Sequence, residues 1–190
     1  MTYQQTCRRR IRDEETTDEP CLHRRVLDPW YGRLLIGPLL AGEIILKIDD
    51  SRVVTDVDPL NTANEEFEHH CDYLASAKVV LMQRPERFIN HRCDPNTFIR
   101  TISGDRYVVA LRKVHLGDEI TYDYCVNGDG DTAWDCSCGS PECRKRHFSG
   151  FFHLPLDVQA RYLALLEDWY VSEHREEVEI LKRRIEEGAR

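Results

Sequence analysis

The distribution of apolar residues divides the 190-residue chain into three parts. Residues 1–25 are charged and poor in apolar residues, and short apolar runs broken by glycine and proline follow them. After Gly150 the apolar residues recur at steps of three and four. Because short runs between turn residues predict strands and the later spacing predicts helices, we expect a flexible charged arm, a mostly β domain and a helical C-terminal tail.

The middle part contains several candidate strands. RLLIG and EIILKI are two apolar runs separated by Gly37, Pro38 and Gly42, and KVVLM predicts another strand. TFIRTISGDRYVVALR predicts a hairpin joined at Gly104-Asp105, and EITYDY alternates as a half-buried strand does.

One short helix is predicted between these strands. Thr62 with Glu65 resembles a capping box, in which the two side chains cap the first turn of a helix. Helical spacing follows at Phe67, Cys71 and Leu74. We therefore predict a helix over residues 64–76.

The C-terminal part predicts two helices of different character. The first carries its apolar residues at Val158, Tyr162, Leu165, Leu166 and Trp169. The second, from about residue 172 to 187, is strongly charged and has apolar residues at Val178, Leu181 and Ile185. We interpret the first as a cap packed on the core and the second as a largely solvent-exposed end, with a dimer contact as the alternative.

Composition and charge narrow the class of protein. The apolar fraction of 41% and the charged fraction of 32% are typical of a soluble globular domain. A formal net charge of −8 argues against general nucleic-acid binding and favours a basic partner, such as a lysine- or arginine-rich peptide. The apolar runs are far shorter than the roughly 20 residues that cross a membrane. The first residues contain arginines without an apolar segment after them, so no secretory signal is predicted.

The cysteines suggest a metal site. We expect an intracellular protein, cytoplasmic or, in a eukaryote, nuclear, where clustered cysteines bind metal more often than they form disulfides. CSCGSPECR places Cys136, Cys138 and Cys143 within eight residues, and a closed zinc site requires a fourth ligand. Cys93, in RFINHRCDPNTF, and Cys125, after EITYDY, are both candidates, and spacing does not choose between them.

Three strings together resemble one family, the SET-domain protein lysine methyltransferases. RFINHRCDPN resembles the motif NHSCxPN, GDEITYDY resembles GEELTYDY, and CSCGSPECR resembles the post-SET segment CxCGxxxCR. The tail GFFHLPLDVQARYLALL resembles the helical end of compact, bacterial-type members. The resemblance implies a β-clip or SET fold of several small sheets with a knotted threading. It also implies a SET domain at 26–125, a post-SET zinc segment at 126–148 and a helical tail at 149–190.

The resemblance also implies the ligands. Cys93 would join Cys136, Cys138 and Cys143 on one structural zinc ion. S-adenosylmethionine would be the methyl donor, and the acceptor would be a lysine in a basic protein or peptide. Asn90 and His91 match the pair that contacts the methionine part and the adenine of this cofactor.

Two tyrosines match the catalytic positions of the family. Tyr124 matches the tyrosine whose hydroxyl orients the amine beside the transferring methyl group, so that it also contacts the cofactor. Tyr122 matches the position that limits how many methyl groups fit. Residues two apart on a strand face the same side, so both hydroxyls can enter one pocket. A tyrosine rather than a phenylalanine at 122 leaves less room, which predicts mono- or dimethylation.

The chain departs from the family pattern at three places besides Arg92, which replaces the small serine of NHS. Trp30-Tyr31-Gly32 replaces a Gly-x-Gly turn that approaches the cofactor, although the backbone of Tyr31 and Gly32 is still expected to contact it. Ile48 replaces a tyrosine of the lysine channel, and Lys145 replaces the glycine after the last zinc-segment arginine. The first two departures favour the alternative function, a catalytically inactive SET-fold module that contains zinc and binds a peptide.

Overall fold

The computed structural model describes residues 38–129 and 132–188, together with the backbone of two short strands at 26–27 and 34–35. The predicted arm at 1–25 lies outside the described residues. So do Trp30, Tyr31 and Gly32, and the expected cofactor contacts of Tyr31 and Gly32 stay predictions.

The described strands are short and form five small sheets. They are β1 (Val26–Leu27), β2 (Leu34–Leu35), β3 (Ile44–Lys47), β4 (Val53–Val54), β5 (Cys71–Leu74), β6 (Lys78–Leu81), β7 (Asn90–His91), β8 (Thr97–Ile102), β9 (Asp105–Ala110), β10 (Thr121–Tyr122), β11 (Ala133–Asp135) and β12 (Arg146–Phe148). Two sheets have three strands, in the orders β3-β9-β8 and β4-β6-β5, and three are the pairs β1-β2, β7-β10 and β11-β12. The mostly β fold of small sheets predicted from the sequence is confirmed.

The hairpin β8-β9 is the longest strand pair in the described part of the chain. Its register runs from Thr97 opposite Ala110 to Ile102 opposite Asp105. The two connecting residues, Ser103 and Gly104, both have positive φ, at 52° and 89°. Two such residues form the turn whose twist matches that of paired strands. The predicted turn at 104–105 is therefore shifted by one residue, because Asp105 forms the last rung of the ladder.

The helix predicted over 64–76 is wrong. This stretch contains two single turns of 3-10 helix, Thr62–Asn64 and Glu68–His70, followed by strand β5. The capping pair is shifted from the predicted positions: Asn61 Oδ1 accepts from the backbone N–H of Ala63, and Glu66 accepts from that of Asn61. Glu65 then turns left-handed at φ 59° and ends the turn.

Tertiary pairing explains why the helical spacing failed. Cys71 to Leu74 pair antiparallel with β6, which also pairs with β4 on its other side. The strand KVVLM was predicted correctly, and its backbone N–H and C=O groups on each side pair with a neighbouring segment. Pairing of residues 71–74 with β6 therefore outweighs the short helical spacing over 64–76, which has no N-cap at the predicted position.

A parallel pair brings two distant motifs together. Strand β7 pairs with β10, Asn90 opposite Thr121 and His91 opposite Tyr122. Buried Asn96 reinforces the crossing, since its Nδ2 donates to the Glu119 carbonyl at 2.9 Å and its Oδ1 accepts from the Thr121 N–H at 2.9 Å. Only Thr121–Tyr122 of EITYDY forms a strand ladder, so that the predicted strand is shorter than expected.

The C-terminal tail is helical, as predicted, but its first helix is broken. The tail contains α1 (Leu156–Tyr162), α2 (Asp168–Glu173) and α3 (Arg175–Gly188), with a 3-10 turn at Leu163–Leu165. Leu166 is extended, at ψ 138°, and interrupts the helix predicted from the spacing. Helix α3 buries Val178 and Leu181, while Ile180 is exposed and most other positions are charged, as expected for a largely solvent-exposed end. None of the helices in the described ranges is long and apolar enough to cross a membrane.

Two apolar clusters support the fold. The first belongs to the β domain and contains Leu39, Ile45, Leu46, Ile48, Ile89, Ile99, Val108, Ala110, Val114 and Ile120. The second joins the end of the β domain to the tail and contains Cys125, Phe151, Leu154, Val158, Tyr162, Tyr170 and Leu181. Tyr122 packs against the first cluster, so buried apolar side chains hold its ring in place.

Candidate functional site

The structure brings four cysteine sulfurs together. Cys93 follows β7, while Cys136, Cys138 and Cys143 lie between β11 and β12, and the four Sγ atoms are within 4.8 Å of one another. The Sγ atoms of Cys93 and Cys136 are 3.9 Å apart. A tetrahedral zinc ion with Zn–S bonds of about 2.3 Å spaces its sulfurs at about 3.8 Å. The donor set and its spacing therefore fit one zinc ion.

Of the two candidates for a fourth ligand, Cys93 is the one that lies with the other three cysteines. Cys125 does not join the other three cysteines; its sulfur groups with Asp123 and His147 instead. Cys93 is only 2% exposed, and burial raises the pKa of its thiol. A bound cation is the means by which such a buried thiol becomes a thiolate.

Two histidines adjoin the cysteine cluster. The Nε2 atoms of His147 and His91 lie 3.2 and 3.5 Å from the Cys93 sulfur. Burial lowers the pKa of His91 to about 3 and that of His147 to about 4, so both imidazoles are neutral at neutral pH. The sequence analysis missed His147. The available signal was a histidine four residues beyond the last zinc-segment cysteine.

An ion pair between a partly buried arginine and a buried aspartate connects the cysteine segment to the YDY motif. Nη2 of Arg144 lies 2.9 and 2.8 Å from the two carboxylate oxygens of Asp123, whose side chain is 0% exposed. Burial raises the pKa of Asp123, and the Arg144 charge opposes that shift. Because Asp123 lies between Tyr122 and Tyr124, Arg144 fastens the segment directly to the residues predicted to be catalytic.

The two tyrosines share one pocket, as the two-residue spacing predicted. Their ring centroids are 4.8 Å apart. The Tyr124 hydroxyl donates to the Ile89 carbonyl at 2.7 Å, and the Tyr122 hydroxyl lies 3.9 Å from Met82 Sδ. Burial raises the pKa of Tyr124 to about 12 and that of Tyr122 well above its ordinary value. Both phenols are therefore neutral at neutral pH and act as hydrogen-bonding groups, not as phenolate bases.

Asn90 and His91 lie beside these tyrosines. The Asn90 side chain is exposed, and its Nδ2 donates to Glu119 Oε1 at 2.7 Å. The His91 ring meets the edge of the Tyr124 ring at 5.3 Å, and its Nδ1 accepts from the Tyr124 backbone N–H at 3.2 Å. Ile48, in contrast, is 4% exposed and belongs to the first apolar cluster. This departure from the family pattern thus supplies packing.

A cleft of about 520 Å³ opens in front of the tyrosine pair. Its walls include Tyr122, Tyr124 and Trp134, together with Glu68, Asp72 and Asp129. Arg87 and Arg106 also line the cleft, and Asp72 pairs with Arg106, so that three carboxylates face two guanidinium groups beside the two hydroxyls.

Comparison with known proteins identifies the family. A family model described as "SET domain" matches residues 7–125, well over half of the chain. This chain belongs to the SET-domain family. The match ends at residue 125, and it begins earlier than the boundary at residue 26 that composition predicted.

The similar curated proteins are much longer than the matched segments. The chain is 46% identical over 63 residues to a "Histone-lysine N-methyltransferase, H3 lysine-36 specific" of Candida albicans, which covers 31% of the chain and 8% of that protein. It is 44% identical over 64 residues to "Histone-lysine N-methyltransferase 2B" of Homo sapiens, covering 31% and 2%. It is 40% identical over 78 residues to "Probable histone-lysine N-methyltransferase set-23" of Caenorhabditis briggsae, covering 38% and 30%. The chain thus spans less than a third of the length of each of these relatives.

Proposed function

We propose that this SET-domain chain transfers a methyl group from S-adenosylmethionine to a lysine side chain of a basic protein or peptide. The observation that carries the proposal is the meeting of Asn90 and His91 with the neutral hydroxyl pair of Tyr122 and Tyr124 in one pocket. The names of the relatives make a histone the first protein substrate to test.

The lysine must be neutral before it can attack. The pKa of a free lysine is near 10.4, so most lysines in water are protonated. The Tyr122 and Tyr124 rings give the pocket an apolar wall, which disfavours the ammonium form. S-adenosylmethionine, when bound, supplies the methyl group on a positively charged sulfonium, which disfavours the ammonium further.

Positioning is the main contribution of the chain to the reaction. The Tyr124 hydroxyl is held by the Ile89 carbonyl at 2.7 Å, so its oxygen has a fixed place from which to accept an amine N–H. Asn90, exposed beside His91 and Tyr124, offers an amide to the polar end of the cofactor. Tyr31 and Gly32 are predicted to add backbone contacts. The described residues thus fit S-adenosylmethionine.

Tyr122 supports mono- or dimethylation. Its ring packs against the first apolar cluster and its hydroxyl faces Met82 Sδ, so this side chain would occupy room that a third methyl group needs. Replacing Tyr122 by phenylalanine removes that hydroxyl and is expected to shift the products towards higher methylation.

The charges of the cleft support a basic substrate. Three carboxylates, Glu68, Asp72 and Asp129, line it against the two arginines Arg87 and Arg106, and the formal net charge of the chain is −8. Carboxylates next to the lysine channel attract neighbouring lysines or arginines of a peptide, and they repel nucleic acid.

Zinc has a structural place in this proposal. Cys93, Cys136, Cys138 and Cys143 would hold the ion, which would pin the loop between β11 and β12 against the strand that carries Asn90 and His91. A site closed by four thiolates leaves no position for substrate.

The first experiment is calorimetric titration of S-adenosylmethionine into zinc-loaded protein, with Asn90→Ala as the comparison variant. We expect saturable binding that the variant weakens. Mass spectrometry of histones incubated with the enzyme and cofactor then reads methylation directly, and Tyr124→Phe should abolish most of it. A folded, zinc-loaded protein that gives neither heat nor product would contradict the enzyme and favour the inactive peptide-binding module.

A further inference from the structure

Three nitrogen atoms lie within hydrogen-bonding distance of the sulfur of Cys93. They are His147 Nε2 at 3.2 Å, the backbone N of Arg144 at 3.4 Å and His91 Nε2 at 3.5 Å. Of the four clustered cysteines, Cys93 is the buried one, and the other three are partly exposed. A zinc ion with four thiolates carries a net charge of −2, and a sulfur without water must share that charge with protein donors.

The surroundings of His147 fix the position of its proton. Its Nδ1 lies 3.1 Å from Nη2 of Arg144. A guanidinium has donors and no acceptor, so Nδ1 must accept. A neutral imidazole that accepts at Nδ1 carries its proton on Nε2. The Nε2–H of His147 therefore points at Cys93.

The surroundings of His91 lead to the same tautomer. The backbone N–H of Tyr124 donates to Nδ1 of His91 at 3.2 Å, and a backbone N–H cannot accept. The proton of His91 is therefore also on Nε2, the nitrogen that faces Cys93.

These tautomers argue against a second metal ion. His91, Cys93, Cys136 and His147 also bring four potential ligand atoms within 4.8 Å of one another. A nitrogen that binds a metal needs a free lone pair, whereas both Nε2 atoms carry protons. The same atoms thus form a hydrogen-bonded shell around a cysteine ligand.

We propose that His147 and His91 are positioning residues that donate Nε2–H hydrogen bonds to the Cys93 thiolate and thereby slow the loss of zinc. The inference rests on the zinc site of the proposed function, and it goes beyond that site by assigning roles to two residues outside the four ligands. His91 also contacts Tyr124, and His147 contacts Arg144, which pairs with Asp123. Retention of zinc is therefore coupled to the strand that carries the catalytic tyrosines.

Two substitutions of His147 separate the hydrogen bond from the shape of the side chain. His147→Phe keeps a ring that can stack on Trp134, now at a centroid distance of 5.0 Å, and removes the donor. His147→Gln keeps an N–H donor near the position of Nε2. Zinc release from each loaded protein into excess chelator is followed with a colorimetric indicator, and His115→Phe, at an exposed histidine, is the control.

We expect His147→Phe to release zinc about 10- to 100-fold faster than the unmodified protein, the usual effect of removing a partner of a metal ligand. His147→Gln and His115→Phe should stay close to the unmodified rate. Equal rates for the phenylalanine and glutamine variants would overturn the role of the hydrogen bond.

A direct measurement covers the case in which a variant does not fold. In unmodified protein loaded with cadmium-113, nitrogen-15 shifts report the tautomer of each histidine, and scalar coupling between an Nε2–H proton and the metal reports the N–H···S bond. We expect Nε2–H on both histidines, coupling for both, and one metal ion per chain. Protons on Nδ1, or two ions per chain with unprotonated Nε2 atoms, would overturn the proposal. Because these readouts do not use methyl transfer, they stand apart from failure of the proposed enzyme; a chain that binds no metal would refute the zinc site itself.

Discussion

Two arginines, the buried Arg106 and the partly buried Arg144, connect the C-terminal part of the chain to the β domain through different chemistry. Arg144 pairs with one carboxylate, Asp123, next to the four cysteines. Arg106, on β9, meets three carboxylates: Asp50 at 3.1 Å, Glu167 at 3.4 Å, and Asp72 through a close contact. Metal binding can restrain the first connection, while the second depends on electrostatics within the protein.

The Arg106 connection joins segments that are distant in sequence. Glu167 precedes α2, and it also accepts from Thr101 Oγ1 at 2.5 Å and from Trp169 Nε1 at 3.1 Å. Its side chain is 1% exposed and that of Arg106 is 7% exposed. Arg106 and Trp169, a residue of the tail, line the same cleft as Tyr122, so the tail contributes to the wall of the proposed substrate site.

The comparison predicts that removal of zinc has the largest and the most local effect. Structural zinc contributes on the order of 10 kcal/mol to the segments that it holds. Without it, the loop from 136 to 145 loses its main restraint, because no ion would hold its three cysteines to Cys93. Hydrogen exchange on chelated protein should show lost protection in β11 and β12 and retained protection in the β8-β9 hairpin. Uniform loss across both regions would contradict the separation of the two connections.

Arg106→Met tests the second connection. It leaves three carboxylates near one another without their cation, two of them partly exposed and Glu167 buried. Breaking a buried ion pair in this way costs about 3 to 5 kcal/mol. Urea denaturation at fixed zinc concentration should show this loss, with unchanged release of zinc. Arg100→Met, at an exposed position on β8, is the matched control and should change stability little.

Arg144→Met sharpens the contrast between the two arginines. It leaves the buried Asp123 without its cation, and we expect a loss of about 2 to 3 kcal/mol, because a hydrogen-bonded partner of a charged group is removed. Unlike Arg106→Met, it should also speed the release of zinc, since His147 loses the donor that fixes its tautomer. Similar zinc release from the two variants would show that Arg144 acts only as a counter-ion.

The same contrast explains what the sequence could predict. Cys136, Cys138 and Cys143 are close in sequence, so their spacing alone predicts that one metal ion could bind all three. The resemblance added Cys93, which the structure brings to them. Glu167 and Arg106 are 61 residues apart (167 − 106), and the sequence around either residue does not predict that they form an ion pair. The false helix over 64–76 failed for the same reason, since the partner strand β6 decided the conformation of β5.

The smallest predicted effect lies at Lys145, inside the cysteine segment. The family pattern has glycine here, and the structure shows why: Lys145 is left-handed at φ 67° while its carbonyl accepts from the Cys136 N–H at 2.6 Å. A side chain in this conformation costs about 1 to 2 kcal/mol, of which the greater freedom of glycine in the unfolded chain offsets part. Lys145→Gly should therefore stabilise the zinc-loaded protein by about 1 kcal/mol in urea denaturation.

Lys145→Ala decides whether the backbone is the cause of that gain. It removes the charge and the flexible side chain but keeps the Cβ atom, so it should leave stability almost unchanged. If alanine stabilised as much as glycine, the gain would come from the lost lysine charge and not from relief of the left-handed backbone. The Arg144 and Arg106 connections would then differ less, because electrostatic interactions would determine the stability of both.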